Sequence, residues 1–138
     1  MFNYKNESLY FIAWIIAAVA TAGSLFFSEI MQFAPCTMCW YQRIAMYPLV
    51  ILLLVGSTKE IQSTYRFCMP LVAIGWIIAL YHNLLHFGII PETATPCRLG
   101  ISCATVYIQL LGFITIPMMS LFAFSGIGGI LLFLKRKK

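Results

Sequence analysis

Four long apolar stretches set the terms for this chain. They run over about residues 9–31, 40–56, 67–86 and 107–134 and take up most of its 138 residues. A helix needs about 20 mostly apolar residues to cross the hydrocarbon of a bilayer. Backbone in lipid must satisfy its own hydrogen bonds, and a helix does so within one segment. An outer-membrane barrel would instead alternate polar and apolar residues, and these stretches do not. The expectation is an all-α membrane protein, a single integral membrane domain over 1–138 folded as a four-transmembrane-helix bundle. Charge content agrees, at 9% against roughly 25% for soluble domains. The first stretch carries Ala20-Thr21-Ala22, which resembles a signal-cleavage site. Its apolar run continues through Gly23-Ser24-Leu25-Phe26-Phe27, beyond the roughly 7–15 residues of a signal core, so it reads as a span.

The polar segments sort by charge. Lys5, then Lys59 and Arg66, then the tail Lys135-Arg136-Lys137-Lys138 hold seven of the nine basic residues. Four spans place these three segments on one side, and the positive-inside rule makes that side cytoplasmic, with both termini there. The basic tail after an apolar run reads as a membrane-surface anchor. No basic face interleaved with aromatics suggests nucleic acid. The two remaining loops then face outward, and they hold Cys36, Cys39, Cys97 and Cys103, four of the five cysteines. An even number of cysteines on the oxidising side agrees with the charge argument, which was made without them. Cys68 falls within the third stretch and reads as a buried, inert thiol.

The chemistry concentrates in Pro35-Cys36-Thr37-Met38-Cys39-Trp40-Tyr41-Gln42-Arg43. Two thiols at this spacing close a small, exchangeable disulfide, and a nearby cation favours the nucleophilic thiolate. To span, the second helix must include Trp40 to Arg43. That leaves Cys39 just outside the helix start, beside Arg43 and at the depth of a lipid-soluble headgroup. So short a loop gains little from a static bridge, so the pair reads as redox-active. Cys97 and Cys103, separated by Arg98-Leu99-Gly100-Ile101-Ser102, suit a loop staple or a relay equally. Zinc held by the four cysteines is disfavoured, because the second pair lacks the usual spacing, and no metal site is expected. His82 and His86 are four apart and read as interfacial residues at the outer edge. Small residues at helical spacing, Ala13 with Ala17, Ala18 with Ala22, and Gly112, Gly126, Gly128 and Gly129, suggest close helix contacts. Pro48, Pro70 and Pro117 are candidate kinks or ends.

These features together resemble the DsbB family of membrane thiol-disulfide oxidoreductases, and within it the compact BdbC-like branch. The likeness runs through Gly23-Ser24-Leu25-Phe26-Phe27-Ser28-Glu29-Ile30, the Pro35–Arg43 motif, Tyr47-Pro48-Leu49, the pair Cys97 and Cys103, and Gly112-Phe113-Ile114-Thr115-Ile116-Pro117. The resemblance implies a quinone-dependent enzyme in the cytoplasmic membrane of a bacterium, supporting disulfide formation in exported proteins. It would reoxidise an extracytoplasmic thioredoxin-fold thiol oxidase (DsbA/BdbD-like) and pass electrons to menaquinone or ubiquinone. It also implies roles. Cys97 would form the mixed disulfide with the partner, and Cys103 would exchange with Cys36. Cys39 would carry the thiolate that faces the quinone, Arg43 would polarise a quinone oxygen, and His82 would lie near it. Gln42 stands where some members carry an acid. Strong dithiol oxidases reach about −120 mV, so their regeneration needs a still stronger acceptor. A vitamin K epoxide reductase-like quinone reductase is the near alternative, although that family carries its Cys-x-x-Cys on a late helix. A non-catalytic membrane subunit with structural disulfides is the other, and Glu29 at the edge of the first span offers little support for an ion pathway.

Overall fold

The computed structural model describes residues 4–33, 35–58, 61–91 and 115–137. Among the described residues four α-helices carry the fold: α1 (Tyr4–Leu25), α2 (Thr37–Thr58), α3 (Ile61–His86) and α4 (Ile116–Arg136). Each contains a stretch long and apolar enough to cross a membrane, and the shortest stretches, Thr37–Ser57 and Ile116–Arg136, have 21 residues. At about 1.5 Å per residue these cover about 30 Å of hydrocarbon. The chain is therefore a four-helix membrane bundle, with α2 packed between α1 and α3, and α4 against α3 and α1.

Apolar side chains point both ways, as they must when the solvent is lipid. Leu49, Leu53, Phe124, Ile127 and Leu131 form the inner cluster, while Val19, Ile44, Ile51, Ile77 and Phe122 lie on the outer surface. With lipid outside, burying more apolar surface does little to hold the helices together, so close packing and interhelical hydrogen bonds do that work. Ala13 and Ala17 are wholly buried on α1, whereas Ala22 is exposed. The tightest approaches fall on glycines the small-residue pattern did not single out. A Cβ on Gly75 would strike the Phe124 ring, and one on Gly56 would strike Thr64. Of the α4 glycines, Gly128 lies 3.1 Å (from its would-be Cβ) from Val72, while Gly129 faces open space. Gly112 lies outside the described residues.

Polar bonds add registration. The Asn83 amide donates to the carbonyls of Ala79 (2.8 Å) and Pro117 (2.9 Å), tying α3 to the first turn of α4. Trp76 donates to Ser125 Oγ at 2.9 Å across the same pair. Pro48 and Pro70 lie inside α2 and α3. Pro117 sits in the first turn of α4, where a missing N–H costs no helix bond.

The start of α4 differs from the expectation, and the end of the first span agrees with it. Thr115 is extended, with φ −110° and ψ 165°, so α4 begins at Ile116 rather than near residue 107. Beyond α1 the chain continues as a π-helical turn, Phe26–Ile30, and then stops. The stop is a left-handed residue, Gln32 at φ 58°, where glycine is usual. Its side chain donates to the Glu29 carbonyl at 2.7 Å, and the Phe33 N–H reaches back to Phe27 O at 2.9 Å. This compact reversal brings the chain round to Cys36.

Candidate active site

The thiol pair sits on the first turn of α2. The Trp40 N–H donates to the Cys36 carbonyl at 3.2 Å, so Cys36 occupies the N-cap and Cys39 lies inside the helix. This corrects the expectation that the helix starts after Cys39. The physical reason is that Thr37 and Met38 extend the helix by one turn, and the capping position passes to Cys36. The two sulfurs are 3.4 Å apart, so they stand as a dithiol that a small rotation would close.

The third member comes from α3. His82 Nε2 lies 3.9 Å from Cys36 Sγ, and His82 Nδ1 lies 3.1 Å from Gln42 Nε2. His82 is 2% exposed and Gln42 7% exposed. The reading of His82 as an interfacial edge residue does not hold, because the helix rotation turns it inward against α2. Its i+4 neighbour His86 is only half-buried. With the Gln42 amide donating to Nδ1, the ring carries its proton on Nε2 and offers it to Cys36. The hydrogen bond of the Cys39 thiol holds Cys36 well below the usual thiol range against the opposing effect of burial. His82 and the Cys39 backbone N–H act in the same direction. The Cys39 thiol first, then the histidine and the backbone N–H at the helix start, thus make Cys36 the readily ionised sulfur.

Arg43 follows one helical turn after Cys39 but does not point straight at it. Its guanidinium donates from Nε to Ser24 Oγ (2.8 Å) and from one terminal nitrogen to the Ser24 carbonyl (3.0 Å). It also lies over the Trp40 ring, 5.3 Å from its centroid. Ser24 falls just before the π-helical turn, so this cation links the ends of α1 and α2 across the site.

Beside these groups lies a cavity of about 520 Å³. Cys36, Cys39, Gln42, Arg43 and His82 line its polar end, and Ile15, Ile16, Val19, Met119 and Ala123 are among its apolar lining. Val19 is 65% exposed and Met119 40% exposed, so the apolar part reaches the outer surface between α1 and α4. Such a cavity suits an amphipathic ligand with a ring at the thiols and an apolar tail directed into lipid. Cys97 and Cys103 lie outside the described residues. Cys68 is wholly buried in the inner cluster.

Sequence reasoning reached Cys36, Cys39 and Arg43 through local spacing. It gave Gln42 no part in the chemistry, since the signal for Gln42 is its contact with a residue 40 positions away. Ser24 carried no signal beyond its place in the resemblance.

Against this geometry, comparison with known proteins is specific. The family model for DsbB, the disulfide bond formation protein, matches residues 6–134. The chain belongs to the DsbB family, and it is a multi-pass membrane oxidoreductase of disulfide bond formation. It is similar to "Disulfide bond formation protein C" of Bacillus subtilis (strain 168), with 40% identity over 87% of this chain and 88% of that one. The "SPbeta prophage-derived disulfide bond formation protein B" of the same organism is 40% identical over 96% of this chain and 90% of its own. A "Probable disulfide formation protein" of Metapseudomonas resinovorans is 35% identical over 94% and 91%. No solved structure matches the chain significantly.

Proposed function

We propose that the chain is a protein dithiol:quinone oxidoreductase that reoxidises an extracytoplasmic thioredoxin-fold thiol oxidase. The observation that carries this reading is the cavity, which has the Cys36–Cys39 dithiol at its polar end and an apolar body opening towards lipid. A bound quinone would supply a two-electron, two-proton acceptor there, leaving as quinol while the dithiol becomes a disulfide.

The chain's own residues divide the remaining work. Cys36 suits exchange with Cys103: attack on its sulfur forms the Cys103–Cys36 bond, breaks the Cys36–Cys39 bond and releases Cys39 as the thiolate on the quinone side. Cys39 is less buried than Cys36 and faces the cavity with Arg43, which suits it to the quinone side. Arg43, anchored by Ser24, presents a fixed positive charge to an oxygen that gains electron density. His82, oriented by Gln42, holds a proton at Cys36. Cys97 takes the partner's cysteine in a mixed disulfide and Cys103 passes the exchange inward. The charge bias puts both termini in the cytoplasm and these thiols outside, in a bacterial cytoplasmic membrane.

The test is oxidation of a reduced thioredoxin-fold thiol oxidase by the purified chain in lipid, with a menaquinone or ubiquinone analogue as sole acceptor. One quinol per partner disulfide is expected, with dependence on Cys36 and Cys39. Quinone-independent oxidation would overturn the reading, as would full activity in Cys39→Ser.

A further inference from the structure

We propose that the reduced site is also a zinc site, made by Cys36, Cys39 and His82, whose occupancy blocks oxidation of the dithiol. The two Sγ atoms and a His82 ring nitrogen all lie within 4.8 Å of one another. The sulfurs are 3.4 Å apart and Nε2 is 3.9 Å from Cys36 Sγ. Tetrahedral zinc, with bonds of about 2.3 Å to sulfur and 2.0–2.1 Å to nitrogen, requires separations of about 3.8 Å and 3.5 Å. Both of these distances are within about half an ångström of that need, and the third pair, Cys39 Sγ and the His82 nitrogen, lies within 4.8 Å and closes by side-chain rotation. The donors come from the first turn of one helix and the body of another, so the backbone already holds them close.

Three features favour zinc over other ions. Two thiolates and a neutral imidazole give a neutral complex with a divalent ion, whereas a monovalent copper ion would leave net charge in a buried site. Three protein donors leave the fourth position open towards the cavity, as in two-cysteine, one-histidine sites. Gln42 supplies the outer partner: with its amide turned so that the oxygen accepts from Nδ1–H, the Nε2 lone pair is freed for the metal. Coordination involves no electron transfer. The ion displaces whatever protons the two thiols carry, and both sulfurs are then bonded to it and cannot join each other. Metal and disulfide are mutually exclusive, so zinc and oxidation compete for one pair of sulfurs. The site needs only the dithiol and His82, and stands independently of the quinone reading.

The test uses the full chain carrying Cys97→Ser and Cys103→Ser, in lipid nanodiscs without oxygen, with cobalt(II) as spectroscopic probe and zinc(II) as competitor. The reduced protein is expected to bind one cobalt per chain, with sulfur-to-cobalt charge-transfer bands and the strong visible bands of a tetrahedral ion. Zinc should erase these bands and protect Cys36 and Cys39 from alkylation, and a chelator should restore reactivity. The oxidised protein should show none of this, and His82→Ala should weaken binding by about tenfold or more. A reduced protein without bands would overturn the proposal, as would undiminished binding in Cys36→Ser or in folded His82→Ala. If His82→Ala does not fold, X-ray absorption of the zinc-bound parent decides, since a shell lacking imidazole overturns the assignment. Quinone reduction by a metal-free sample of the unsubstituted chain tests the proposed function separately.

Discussion

Two buried cysteines in one bundle show how environment decides what a thiol does. Cys36 and Cys68 are 7% and 0% exposed. Cys36 caps a helix, touches a second sulfur and faces a histidine whose other nitrogen is held by Gln42. Cys68 sits in the apolar cluster with Leu49, Leu53 and Leu131. Burial alone works against an ionised sulfur, so only fixed donors make one reactive. The bundle supplies those donors at the cavity end and supplies packing at the other.

The contrast breaks first under serine or alanine substitution. Cys36→Ser or Cys39→Ser should lower quinone-coupled partner oxidation on the order of a thousandfold or more. Cys68→Ala should leave turnover near normal and cost about 1–2 kcal/mol of stability from the lost packing. Turnover lost in Cys68→Ala with the fold intact would remove the distinction. Next comes Arg43→Ala. Losing two charged hydrogen bonds and a fixed cation should reduce quinone use about 10–100-fold, read as a raised KM for quinone with partner affinity unchanged. An equal loss in partner affinity would move Arg43 out of the quinone's reach.

A third probe is alkylation against pH. A lowered value means that the Cys36 thiolate persists as pH falls and disappears only below the range of an ordinary thiol, about 8.5. With Cys39 replaced by alanine, the hydrogen bond that lowers Cys36 most is gone, so its reactivity should fade at a higher pH than in the parent. His82→Ala should move the profile the same way by a smaller amount, since its contribution is smaller. Mass-spectrometric labelling of Cys36 reads both. Profiles identical to the parent would show that the neighbours do not activate this sulfur. The smallest expected effect lies far from the chemistry. Gly56→Ala forces Thr64 to move and should cost about 1–3 kcal/mol, seen as a lower thermal midpoint in detergent with normal turnover per folded molecule.

The membrane architecture could be read from the chain because lipid imposes a length and a composition that no other environment demands. The dithiol could be read because residues three apart meet on one helical turn whatever else the fold does. Arg43 followed from the same local logic, although its partner Ser24 did not. The start of α2 was misplaced by three residues, since helix capping depends on which carbonyl takes the first bond, and apolar pattern does not encode that. Gly75 escaped notice because a glycine inside an apolar run gives no sign of which ring will lie against it.

The amino-acid order by itself therefore determined the four spans, the charge bias between loops and the Cys36–Cys39 pair, since hydropathy, charge and i,i+3 proximity act within a segment. Only the packing of α3 against α2 decided that His82 and Gln42 would meet Cys36. Only the gap among α1, α2 and α4 decided that the thiols would look into an apolar cavity. Those features depend on how helices are rotated and spaced against one another, a balance of side-chain shapes across tens of residues that no local stretch contains.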